Sequence, residues 1–183
     1  MEIYPEAEQF MVDACTVAKN ETDISYHRRT VHWVKFLKPD ASEALLVAAI
    51  LHDIEREMNG DWKAGSSDPI ALQKHEELSA LEAEMFLQKE KADEKFIEKV
   101  KDLILHHETG GTEEQNILCD ADAAAWLEEK ALRNVRVYKK KGKTKEEMKE
   151  KLMDVFGRIT SDAAKRMARP WLDDALTELE KIN

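Results

Sequence analysis

The sequence predicts an all-α protein on three observations. Glycine and proline are scarce, at 6 and 4 of 183 residues, while Ala, Leu, Glu and Lys abound and favour helix. Hydrophobic residues at 43% and charged residues at 36% suit a globular domain with many solvated helical faces. The breaks between apolar stretches carry helix starts and stops rather than hairpin turns. A first helix is expected over about residues 5–19 and a second over 23–37, with Asp23 as its cap and Pro39 beyond its end. A third follows Ser42 and runs through Ala44, Leu45, Val47, Ala48, Ile50 and Leu51 into His52-Asp53. It is apolar on nearly every side and is expected to be the most buried element. Residues 58–68 are rich in Gly, Asn, Ser and Asp and read as a loop long enough to form a rim or lid, ending at Pro69 in a first helical position. A fourth helix over 70–90, a fifth from 93 to about 107 closed by Gly110-Gly111, and a sixth over 117–129 follow. The tail, 130–183, reads as two or three amphipathic helices broken near Lys141-Gly142-Lys143 and turned at Pro170.

The length fits one domain with an appended helical tail, and no linker demands a second. A net charge of −10 disfavours general nucleic-acid binding, because phosphate backbones repel an acidic surface, yet one local basic pocket for a small phosphate ester is compatible with it. Cys15 and Cys119 form no CxxC pair and read as small core residues. No apolar run reaches the roughly 18 residues of a membrane span, and the first nine residues lack a basic-then-apolar leader, so a cytoplasmic address and no membrane partner are expected. Met148, Leu152 and Val155 recur at helical spacing and read as core or an interface rather than a cofactor box; a monomer or a homodimer is expected. The Lys139–Lys143 run reads as a solvated loop, with a phosphate-facing role as the alternative, and Arg158, Lys165, Arg166 and Arg169 as tail cations able to reach a phosphate.

The informative residues are six histidines, His27, His32, His52, His75, His106 and His107. Neutral imidazole and carboxylate are the donors that hold zinc, iron and manganese. His52-Asp53 closes the most hydrophobic helix, where an uncompensated carboxylate costs several kcal/mol, about the amount a bound cation offsets. The competing reading makes Asp53 the start of a solvated helix end, since Glu55, Arg56 and Glu57 follow. His32 lies five residues after His27, about 140° round a helix, so the two cannot serve one site equally.

The order His27 … His52-Asp53 … Asp122 resembles the H…HD…D pattern of the HD-domain superfamily of metal-dependent phosphohydrolases. The local words agree: His27-Arg28-Arg29-Thr30-Val31, Ala48-Ala49-Ile50-Leu51-His52-Asp53-Ile54, and Asp120-Ala121-Asp122-Ala123 are similar to family segments, across about residues 20–130. His75 resembles the extra histidine of two-metal relatives, and His106-His107-Glu108 the HHE word of the HD-GYP phosphodiesterases; the GYP word itself is absent. The resemblance implies one HD domain over 1–183, a helical bundle with core about 20–130 and extra C-terminal helices about 131–183. It implies a divalent metal site of two ions rather than one, with iron or manganese favoured and nickel, cobalt or zinc open. His27, His52, Asp53 and Asp122 would hold the first ion, with Asp53 bridging to a second held by His75 and one or both of His106 and His107. Asp120 is the alternative to Asp122 and otherwise a helix cap. A metal-activated water would attack a small phosphorylated substrate, Asp53 would orient it, and Arg56 or Lys74 would neutralise the phosphate. Where the family word has glycine, Glu55 stands, and the sequence gives no account of it. The same ligand pattern occurs in di-iron oxygenases of this superfamily, and a non-catalytic metal-binding module is a third reading.

Overall fold

The computed structural model describes residues 2–59 and 69–182. They form ten α-helices and no strand. The order is α1 (Tyr4–Ala18), α2 (Thr22–Leu37), α3 (Glu43–Leu51), α4 (Ile54–Asn59), α5 (Pro69–Lys89), α6 (Glu94–Ile104), α7 (Glu113–Glu129), α8 (Ala131–Val137), a 3-10 turn (Tyr138–Lys141), α9 (Lys145–Arg158) and α10 (Asp162–Lys181). No described helix is long and apolar enough to cross a membrane.

Helix α3 is the centre of the bundle. Ser42 caps it by accepting from Leu45 N at 3.3 Å, and seven of its nine residues are buried. It packs against α1, α2, α6 and α7, as expected for a helix with no polar face. The most extensive helix pairing joins α2 to α7, and Ala121, Ala123, Ala124 and Ala125 of α7 are wholly buried and small enough to let neighbouring helices approach it closely. Gly110 and Gly111 make the turn into α7 with φ of 70° and 150°, in a region that side chains rarely adopt. A Cβ on Gly111 would also sit 2.6 Å from Gln115 Oε1. That oxygen closes a capping box with Thr112, accepting from Thr112 N at 2.7 Å. The box starts α7 at Glu113, four residues before the sequence reading placed it.

Other boundaries also move. Asp23 is not a cap: it lies inside α2, buried, 2.7 Å from Lys130 Nζ and 3.0 Å from Arg133 Nη2. Met58 and Asn59 belong to α4 rather than to a loop, and the rest of the expected rim, 60–68, lies outside the described residues. Pro170 does not turn the chain but sits within α10 on its exposed side. A proline inside a helix costs about 3 kcal/mol, and here the buried stripe Ala164, Ala168, Leu172, Ala175 and Leu179 holds α10 against α7, α8 and α9 in spite of it. Met148, Leu152 and Val155 are core, and Cys15 and Cys119 are buried free thiols.

Candidate metal centre

Five elements deliver donor side chains to one place beneath α3. His27 comes from α2, His52 from the C-cap of α3, Asp53 from the turn after it, His75 from α5, His107 from the turn after α6, and Asp122 from α7. All six are buried. His52 Nδ1 donates to Ala49 O at 2.9 Å and His107 Nδ1 to Ile104 O at 2.7 Å. A carbonyl only accepts, so each Nδ1 carries the proton and each Nε2 presents a lone pair inward. His75 is set in the same way by Glu55, whose Oε1 lies 2.8 Å from its Nδ1. Glu55 is itself 1% exposed, which accounts for the residue the sequence could not explain.

The inward-facing atoms crowd together. His75 Nε2 is 2.8 Å from Asp53 Oδ1 and 3.2 Å from His107 Nε2, and His107 Nε2 is 3.9 Å from the same oxygen. On the other side, His52 Nε2 lies 4.0 Å from Asp53 Oδ2 and 3.3 Å from Asp122 Oδ1. Asp53 therefore turns one oxygen to His75 and His107 and the other to His52. The His27 ring stands 5.6 Å from the His52 ring, and neither of its nitrogens has a hydrogen-bond partner. A wholly buried imidazole without partners costs on the order of 1–3 kcal/mol.

Burial, and then the neighbouring His52, pushes the His27 imidazole down to about 3; burial, and then His75 and His52, pushes His107 down to about 3. Both are thereby neutral, the form that donates to a metal. Burial alone would raise the Asp53 carboxyl, but Arg56, His52 and His75 outweigh it and hold it well below the usual range. Asp122 is lowered in the same sense, burial opposing and His52 prevailing. Tyr26 supports that carboxylate by donating to Asp122 Oδ1, and Arg158 Nη2 donates to its Oδ2 at 3.0 Å while its other arm meets Glu108.

Asp53 and Asp122 face a cavity of about 740 Å³. Eight lysines and arginines but only five carboxylates line it among the described residues, in a chain of net charge −10. Lys130, buried across the Tyr26 ring at 3.6 Å, closes one wall.

The HD domain family model matches residues 22–156, well over half of the chain. The chain belongs to the HD domain family. Neither a curated protein nor a solved structure matches it. HD domains are generally metal-dependent hydrolases that bind divalent metals, and the residues present fit such a group. Asp53, His75 and His107 bring ligand atoms together in a group that could hold a cation, and the partnerless His27 nitrogens could serve as donors as well.

Two expected site residues lie elsewhere in this HD domain. The His106 side chain is 43% exposed, with Nδ1 2.7 Å from Asp102 O. Successive residues diverge by about 100° in helical backbone, so the turn that sends His107 inward sends His106 outward. Lys74 is exposed on α5 and does not line the cavity, for the same reason: its neighbour His75 takes the inward position. Arg56 does line it, with Nε 3.4 Å from Asp53 Oδ1. Asp120 is a capping residue, but for a different helix than expected. It accepts from Thr160 N at 2.6 Å and Ser161 N at 2.8 Å, at the start of α10. His32 is exposed on α2. Nothing in the spacing of Tyr26 and Lys130 marks them, and the sequence marks Glu55 only as a departure from the family word without a role. Arg158 was one of four tail cations with equal claims.

Proposed function

We propose that this HD domain hydrolyses a phosphate ester of a small molecule or nucleotide with two divalent cations, iron or manganese in preference to nickel, cobalt or zinc. The observation that carries this reading is Asp53: one oxygen faces His75 and His107 and the other faces His52, at the floor of a cavity richer in cations than in carboxylates. His27, His52, Asp53 and Asp122 would hold one cation, and Asp53, His75 and His107 the other. Divalent cations held there would lower the pKa of a water toward neutrality, so that hydroxide is available to attack phosphorus near neutral pH. Asp53 orients that water from between the two groups. Arg56 and Arg158 stand beside the two carboxylates, placed to neutralise phosphoryl oxygens as charge develops on them. No side chain at the floor is needed as a covalent nucleophile.

The test is release of p-nitrophenol from p-nitrophenyl phosphate and bis-p-nitrophenyl phosphate by manganese-loaded protein. Hydrolysis of one of the two is expected, falling to background in Asp53→Asn. Failure of both esters, with dioxygen consumed by the iron-loaded protein, would move the reading to the oxygenase.

A further inference from the structure

Of the six donors gathered beneath α3, His27 alone has a hydrogen-bond partner at neither ring nitrogen, although its side chain is wholly buried. It belongs to another group of side chains as well. One of its nitrogens, Cys15 Sγ and a carboxylate oxygen of Glu57 all lie within 4.8 Å of one another, and all three residues are buried. A single ion with bonds of about 2.0–2.3 Å reaches donors spaced nearly that far apart. Three helices supply them: α1 carries Cys15, α2 His27 and α4 Glu57. The bend at His52-Asp53 lays α4 against α1 and so brings Glu57 to Cys15.

Neither neighbour of His27 is well satisfied elsewhere. The Cys15 thiol donates to the Met11 thioether at 3.7 Å, a weak acceptor. Among the described residues Glu57 accepts only from the Asn20 amide, at 3.0 and 3.2 Å, and forms no ion pair. The amide fixes the direction of the carboxylate, as outer hydrogen-bond partners do for metal ligands. Glu57 and Asn20 also line the cavity, which gives an ion a way in and leaves room for water at a fourth position. The donors differ in kind from Asp53, His75 and His107. Sulfur, nitrogen and oxygen together suit zinc and cobalt, and thiolate selects softer ions than manganese.

We propose that Cys15, His27 and Glu57 form a separate site for one thiophilic divalent cation of the zinc and cobalt kind. A neutral imidazole has one lone pair, so an ion held here takes His27 from the first cation of the centre, and the two compete. The site rests on the thiol, imidazole and carboxylate, not on the phosphohydrolase reading.

Cobalt titration of reduced, metal-free protein tests this, because cobalt bound to thiolate gives a strong near-ultraviolet band that cobalt bound only to nitrogen and oxygen does not. The band is expected in wild type, saturating with one ion per chain, and no more weakly in Asp53→Asn, where the competing centre is impaired. Cys119→Ser leaves Cys15 as the one thiol of the chain and should keep the band, whereas Cys15→Ser should lose it. Glu57→Gln should move the midpoint at least about tenfold toward higher cobalt. Absence of the band from both wild type and Asp53→Asn overturns the site. So does a band that Cys119→Ser removes or Cys15→Ser keeps, or a midpoint that Glu57→Gln leaves unmoved. If the band appears but neither nitrophenyl ester is hydrolysed, the site stands and the hydrolase reading falls; if an ester is cleaved and no band appears, the reverse holds.

Discussion

Replacing Glu55 by alanine isolates the residue that orients His75. The Glu55–His75 hydrogen bond is 2.8 Å long and both side chains are buried, so the variant leaves the Nδ1–H without an acceptor and frees the ring to rotate or change tautomer. His75 Nε2 would then no longer be held toward Asp53. Losing a carboxylate that orients a ligating histidine costs about 10- to 100-fold in metal affinity, or about 1.4–2.7 kcal/mol. The loss should fall on one ion only, because His27, His52 and Asp122 have no contact with Glu55. Manganese titration of metal-free protein, followed by electron paramagnetic resonance, resolves the two equivalents. In Glu55→Ala the tighter or weaker equivalent associated with His75 should weaken within that range while the other is unchanged. Glu55→Gln keeps an oxygen acceptor at the same reach and should lose less than about tenfold. His75→Ala should abolish the same equivalent outright. Two equivalents bound by Glu55→Ala with wild-type affinity would refute the reasoning.

Asp23→Asn should cost about 3 kcal/mol at pH 7 by urea unfolding, because it leaves Lys130 as an uncompensated buried cation. Burial would raise the Asp23 carboxyl, but Lys130 and Arg133 outweigh it and lower it. A lowered folded-state value means stability present above the ordinary carboxyl range and lost as pH falls through the folded value, so the wild-type advantage should shrink progressively as pH falls below the ordinary carboxyl range. Asp120→Ala should cost about 3 kcal/mol through the Thr160 and Ser161 hydrogen bonds yet leave metal stoichiometry unchanged, whereas Asp122→Ala should lose metal. Equal metal loss in both would contradict their separate roles. Manganese at about 100 times its dissociation constant should add about 2.7 kcal/mol per site, raising the melting temperature by about 5–11 °C, and a chelator should reverse it. An unchanged melting curve would deny the site.

The candidate donors were legible because each lies in a short word of local sequence: His52-Asp53 at the end of an all-apolar helix, and His75, His107 and Asp122 on or just after later helices. What supports them was not. Glu55 and Glu57 read as solvated because charge runs usually are, yet the bend at His52-Asp53 turns α4 back over α5 and α1 and buries both. Pairing across the fold decides Asp23 with Lys130 and Asp120 with Ser161, over sequence distances that no periodicity reports. His106 and His107 stayed equivalent in sequence because only the direction of the turn after α6 separates them. Pro170 misled because local propensity was weighed without the packed stripe that overrules it.

Alternate residues of α7 look in two directions. Asp120 grips the joint between α9 and α10, while Asp122, two residues further along, faces the candidate metal centre and is gripped in turn by Arg158 from the end of α9. The stretch shared with the family stops at 156, two residues short of that arginine and ahead of everything Asp120 holds. Ancestry and working unit therefore have different edges in this chain. A piece trimmed to the shared stretch would keep every donor atom yet strip Asp122 of its guanidinium and α7 of the helix packed along it.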